Sequence, residues 1–178
     1  AFAYFGQDSK IRTPTEIRWP SRIHMGNWVS LGRHAKILMQ TDFSGSIAMV
    51  RQHYPDVEHH FDPHIYGIRN PHLKIGDGSS LGDYCYISCA NLIDIGKHIT
   101  FSARLFITDS NHLYDHPNLP IILQSNTMGE PVIIGDHSWI GINCCLLEGA
   151  KIGKHCIVTA NSVVTIPIPD YAVVASNT

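Results

Sequence analysis

Aliphatic residues recur at every sixth position of this chain, and that period restricts the fold more than any other feature of the sequence. In "IGDGSS LGDYCY ISCANL" the leading residues are Ile75, Leu81 and Ile87. Two residues later the frame restarts as "IGKHIT FSARLF ITDSNH", led by Ile95, Phe101 and Ile107. It returns after a break in "IGDHSW IGINCC LLEGAK IGKHCI VTANSV", led by Ile134, Ile140, Leu146, Ile152 and Val158. Upstream, Phe5, Ile11, Met25 and Leu31 lead further hexapeptides. A period of six fits neither the 3.6 of a helix nor the two-residue alternation of a meander. A triangular parallel coil explains it: each hexapeptide makes one short strand and one corner, and three close a turn of about 18 residues.

The predicted fold is therefore all-β, a parallel β-helix of about six coils. At the ~4.8 Å spacing of strands this gives a prism roughly 30 Å long. The leaders should stack along the interior. Small residues four places later, Ser79, Cys85, Ser138, Cys144, Ala150, Cys156 and Ser162, should fill its tight corners. Glycines in second position, among them Gly76, Gly82, Gly96, Gly135, Gly141 and Gly153, are expected to relieve turn conformations that a Cβ would strain.

Two segments leave the frame. Residues 41–72 carry three prolines and the histidines His59, His60 and His64, and residues 113–131 carry Pro117, Pro120 and Pro131. Loops ejected from a rigid solenoid are where binding function usually resides, so both are candidate sites on a single domain spanning 1–178. His112 closes its hexapeptide just where the second loop departs, which singles it out among twelve histidines. The cluster His59, His60 and His64 reads as a metal-ligating set or as a solvated loop.

Composition narrows the partners. A 44% apolar content is enough for a substantial core in 178 residues. A formal charge of −2 with no basic stripe argues against nucleic acid. No apolar run approaches the ~18 residues of a membrane span and no signal segment opens the chain, so a cytoplasmic protein is expected. The five cysteines Cys85, Cys89, Cys144, Cys145 and Cys156 form no CxxC pair and read as reduced core residues.

The hexapeptide frame, broken by one long loop just after a histidine, resembles the left-handed parallel β-helix acyltransferases. It is similar above all to bacterial sugar O-acetyltransferases of polysaccharide and lipopolysaccharide biosynthesis, relatives of the maltose and galactoside acetyltransferases. The segments "IGDHSWIGINCCLLEGAKIG" and "SVVTIPIPDYAVVA" carry the likeness most strongly. The resemblance implies left-handed coiling, acetyl-CoA as co-substrate without a metal, a sugar acceptor, and a homotrimer whose active sites are shared between subunits.

It further implies His112 as the general base, a role that suits a group titrating near neutrality. A backbone N–H at Gly141 or Ile142 would stabilise the oxyanion. Coenzyme A contacts are implied at Trp139, Gly141, Ile142, Ala160 and Thr165. Acceptor contacts are assigned to Asn91, Asp109, Asn111 and Tyr114, polar residues on one edge of adjacent coils or at the loop start. The chain departs from the family pattern at Ile142, where some relatives have serine, at Ile166, where many have lysine, and at Ser176, where glycine is usual. Ser110 stands where some members carry a further histidine.

His116 is the second candidate for the base. Two other functions remain open. A γ-type carbonic anhydrase would use the same helix with three zinc-binding histidines, but His112 and His116 lack the His-x4-His spacing it needs. A non-catalytic β-helix serving assembly would account for the departures at Ile142, Ile166 and Ser176.

Overall fold

The leading residues of the hexapeptides are buried from Met25 to Val158 as the period requires, while in the first coil Ile11 is half-buried and Phe5 exposed. In a computed structural model describing residues 1–42, 44–54 and 69–175, the chain winds through short strands in three parallel sheets. The first sheet stacks β1 (Tyr4–Phe5), β4 (Ile23–Met25), β7 (His72–Ile75), β10 (Leu92–Ile95), β13 (Val132–Ile134) and β16 (Lys151–Ile152). The second stacks β2 (Lys10–Ile11), β5 (Ser30–Leu31), β8 (Ser80–Leu81), β11 (Thr100–Phe101), β14 (Trp139–Ile140), β17 (Ile157–Val158) and β19 (Val173–Val174). The third stacks β3 (Glu16–Arg18), β6 (Lys36–Met39), β9 (Tyr86–Cys89), β12 (Phe106–Thr108), β15 (Cys145–Leu146) and β18 (Val163–Val164). Each strand of a sheet belongs to the next coil, giving six coils and the start of a seventh.

Register places like on like. Ile37, Ile87, Ile107, Leu146 and Val164 align across the third sheet, and Leu31, Leu81, Phe101, Ile140 and Val158 across the second. All ten are buried, so the core is a set of aliphatic columns along the prism axis. The small residues expected at the corners are buried as well. Two serines among them also bond between coils: Ser79 Oγ donates to Gly96 O at 2.8 Å and accepts from Ile99 N at 3.0 Å, and Ser138 repeats the pattern with Gly153 O and Cys156 N.

The role expected of the second-position glycines is corrected. They do not hold the positive φ angles; those fall two residues on, at residues such as His98, His137 and His155. Glycine is needed because the next coil is too close: a Cβ on Gly76 would sit 2.5 Å from Gly96 O, and one on Gly135 2.6 Å from Gly153 C. The corner residues stack in turn. The rings of His98, His137, His155 and Tyr171 form a ladder with successive centroid separations of 5.4, 4.8 and 5.4 Å.

Between β6 and β7 the chain leaves the coil and forms α1 (Ser44–His53). His59, His60 and His64 lie outside the described residues, as does Ser176. Between β12 and β13 the second excursion contains a 3₁₀ turn, Ile121–Leu123, against which α1 packs. Leu119, Leu123 and Tyr54 make a small apolar cluster that ties the two excursions together. No helix among the described residues is long and apolar enough to cross a membrane.

Candidate active site

His112 lies just beyond Asp109, Ser110 and Asn111, which follow the end of β12 at Thr108, and is held by its backbone. It pairs antiparallel with Asn126, while Thr127 N donates to Asn111 O at 2.8 Å and Leu113 N to Ser125 O at 3.0 Å. The histidine therefore sits on a short two-stranded ribbon at the base of the second loop. The imidazole is exposed, and among the described residues no side chain bonds to it.

The ribbon is gripped from two sides. Arg69, 5% exposed at the end of the first excursion, donates from its two terminal nitrogens to Thr127 O at 2.6 Å and Asn126 O at 2.8 Å. Burial pulls its pKa below the usual guanidinium value, with Asp109 and Glu148 opposing. From the other side Glu148, at the end of the third-sheet strand of the fifth coil, accepts from Thr127 Oγ1 and Asn111 Nδ2, each at 2.7 Å, and from Glu130 N at 3.2 Å. Charge-assisted bonds of this kind are stronger than neutral ones, so the ribbon is better fixed than its position at a loop base would suggest.

A cavity of about 480 Å³ opens beside the imidazole, lined by His112, Asn111, Ser110, Gln40, Asn126 and the outward side chains of the third sheet. Tyr86 and Phe106 lie side by side in register there, ring centroids 5.5 Å apart, with Ser88, Thr108 and Leu147 completing the wall. Gln40 Nε2 donates to Ser88 Oγ, and Asn126 Nδ2 approaches Gln40 Oε1 at 3.5 Å. Both excursions thus contribute to one polar rim.

The other predicted residues divide into groups. Asn111 lines the cavity but commits its amide to Glu148. Asp109 is a correction: it is fully buried, and its carboxylate accepts from Ala90 N at 2.7 Å and Asn91 N at 2.8 Å, so it ties two coils together and does not face a ligand. Burial, opposed by those bonds, holds its pKa above the ordinary carboxylate range. Asn91 is exposed and donates to Gly129 O at 2.8 Å, bracing the end of the second loop. Tyr114 is 75% exposed and, like Asn91, is absent from the cavity wall. His116 joins Gln124 through its backbone N–H and carbonyl, both at 3.0 Å, away from that wall.

Trp139, Gly141, Ile142 and Ala160 gather on the corner between the second and third sheets. Trp139 Nε1 points to Ser102 Oγ at 3.4 Å, and Gly141 lies against Ala160, whose N would be 2.6 Å from an added Cβ. The Gly141 N–H donates to Val158 O at 2.8 Å, so of the two expected oxyanion donors only Ile142 remains available. Thr165 is not with them. It lies at the far end of β18, in an apolar groove of about 350 Å³ with Ile166 and Pro167. His112 and the Ile142 corner stand at opposite ends of the third sheet's strands, roughly 15 Å apart at the rise of extended chain.

Two kinds of residue escaped the sequence reading. Tyr86 and Phe106 each precede a leader and so must face outward, a signal present in the frame. Arg69 and Glu148 carried none, since their partners are distant in sequence. The cysteines need no function: Cys85, Cys89, Cys144 and Cys156 are buried, and burial pushes the Cys85 thiol to about 11. Among the described residues no three His, Cys, Asp or Glu side chains converge as a metal site.

Comparison with known proteins agrees with the frame. Residues 131–165 match the family model described as bacterial transferase hexapeptide (six repeats). The chain is 34% identical over 110 residues to a putative lipopolysaccharide biosynthesis O-acetyl transferase, WbbJ, of Escherichia coli K12, covering 58% of this chain and 56% of that protein. It is 35% identical over 101 residues to a probable acetyltransferase of Mycobacterium tuberculosis, covering 57% of this chain and 33% of the relative. The matches therefore span about half or less of these relatives. Among solved structures, a variant of the Bacillus cereus N-acyltransferase AntD with dTDP and coenzyme A superposes with a TM-score of 0.70 at 17% identity, over 97% of this chain and 78% of that one. A maltose O-acetyltransferase of Clostridium difficile 630 superposes with a TM-score of 0.53 at 20% identity, over 97% of this chain and 64% of that one.

Proposed function

We propose that this chain, a hexapeptide-repeat protein with the left-handed parallel β-helix fold, is an acetyl-CoA-dependent O-acetyltransferase acting on a sugar hydroxyl. The observation that carries this reading is His112, exposed beside a cavity yet fixed through its backbone between Arg69 and Glu148. Support comes from the relatives, whose names are those of acetyltransferases, and from the fold shared with a coenzyme A-bound enzyme.

His112, neutral, accepts the proton of the acceptor hydroxyl as its oxygen bonds to the acyl carbon. The C–S bond breaks, and the imidazolium returns the proton to the departing thiolate. The tetrahedral oxyanion needs a fixed donor, a role that falls to the Ile142 N–H. Acetyl-CoA supplies the activated acyl group, and Trp139, Ile142 and Ala160 form the corner that fits it.

The distance between that corner and His112 sets a condition. Groups roughly 15 Å apart cannot act on one carbonyl. The two edges of different copies must meet, so the catalytic unit is a homo-oligomer, a trimer in this reading, with each site shared between subunits. The protein works in the cytoplasm, where acetyl-CoA is available.

His112→Ala should abolish acetyl transfer while leaving the thermal transition nearly unchanged. Retained turnover in that variant would overturn the assignment, and a monomer in solution, active at all dilutions, would overturn the shared site.

A further inference from the structure

We infer that the outer face of the third sheet seats the acceptor as a pyranose ring laid on Tyr86 and Phe106. This rests on the acetyltransferase reading for its chemistry, but its observations are independent of coenzyme A. Outward positions on a β-helix face are normally polar or packed on a neighbouring element. Here the aligned outward row places two aromatic rings together, and both line the cavity that holds His112.

The rings are tilted 38° to one another at 5.5 Å, making a shallow trough and not a flat stacking slot. The Lys36 ammonium lies 5.8 Å from the centroid of Tyr86. Beside the trough, the hydroxyls of Ser88 and Thr108 and the amides of Gln40 and Asn126 line the same cavity. Ser110, 4% exposed, lines the same cavity, and its Oγ has no hydrogen-bond partner among the described residues. Buried hydroxyls are nearly always paired, so an orphan in a cavity wall points to a ligand that brings its own donor or acceptor.

The ligand that fits has one apolar face for the rings and a polar periphery for the amides and hydroxyls. A pyranose has both: axial C–H groups on one face and hydroxyls around its edge. A nucleobase would need a flat slot, and an acyl chain would bring nothing to pair with the Ser110 hydroxyl. The cavity volume lies within the ~300–1,000 Å³ of small-molecule sites. A ring seated on the trough carries its edge hydroxyl toward His112, which shares the wall. Tyr86 and Phe106 are thereby the specificity-determining pair of the proposed reaction.

Two measurements separate this inference from the activity it rests on. Saturation-transfer NMR with methyl glucoside, galactoside, mannoside and N-acetylglucosaminide, without acetyl-CoA, should show transfer to ring C–H protons of at least one. Phe106→Ala should remove that signal and Phe106→Tyr should keep it. Absence of transfer in the unaltered protein overturns the pyranose seat, whatever the enzyme's activity. In turnover with acetyl-CoA and the bound pyranoside, Tyr86→Ala and Phe106→Ala should raise the acceptor KM about tenfold or more. The KM for acetyl-CoA should stay within twofold. An unchanged acceptor KM in both alanine variants overturns the seat and leaves the acetyltransferase reading standing. Pyranoside binding without acetyl transfer would support the seat and count against that reading.

Discussion

The guanidinium of Arg69 donates at 2.8 Å to the carbonyl of Asn126, the residue that pairs antiparallel with His112. A buried cation at the end of one excursion thus holds the ribbon of another, and with it the proposed base. Arg69→Lys keeps the charge but loses the two-pronged grip. It should lower kcat about tenfold with little change in the acetyl-CoA KM, since the ribbon it grips carries the proposed base and not the coenzyme corner. Steady-state kinetics on the lysine and alanine variants, with circular dichroism to verify folding, checks this. Equal loss in both parameters would assign Arg69 a general structural role.

Glu148 makes the complementary contact from the coil side. Glu148→Gln retains one acceptor oxygen for donors now shared among Thr127, Asn111 and Glu130. Losing a charged acceptor in such a network costs about 1–3 kcal/mol, so the loop should loosen locally. Faster hydrogen exchange at the backbone amides of Leu113 and Thr127, with the β-helix protected as before, is the expected outcome.

Asp109 bears on stability. Asp109→Asn leaves one of two backbone donors without an acceptor and should destabilise by about 1–3 kcal/mol. Burial holds the folded carboxyl above its ordinary range, so the folded state binds this proton more tightly than the unfolded chain. Its contribution is then greatest at low pH and falls as pH rises from the ordinary carboxylate range through the folded value. The Tm gap between the original protein and Asp109→Asn should narrow over that rise, and a gap that widens would contradict the sign.

Gly76→Ala tests the packing of the coils. A new Cβ 2.5 Å from Gly96 O meets backbone that cannot swing aside, so the coils must separate locally. The cost should reach ~3 kcal/mol or more, at the upper end of overpacking penalties. Urea unfolding measures it; a Cm unchanged from the original would show that the coils can part freely.

The period of six was sufficient to set the architecture, because only a triangular coil returns the same aliphatic position to the axis every sixth residue. The same period places Ile87, Ile107 and Leu146 inside, where the structure buries them. His112 also stands out in the sequence, as the last residue before the frame breaks. The frame marks where the glycines fall but not why they are needed, since the clash that demands Gly76 comes from Gly96 in the next coil. Asp109 shows the same limit: its sequence neighbours suggest an edge residue, while its partners Ala90 and Asn91 belong to the coil before it.

The sequence by itself thus determined the repeating coil, the inward columns and the point where the loop departs, all of which follow from local periodicity. The tertiary structure decided what surrounds His112. Arg69, Glu148, Gln40 and the pair Tyr86 and Phe106 come together only when separate coils stack and two excursions fold over one face. Those contacts depend on the distance between chain segments in space, which no period along the chain encodes.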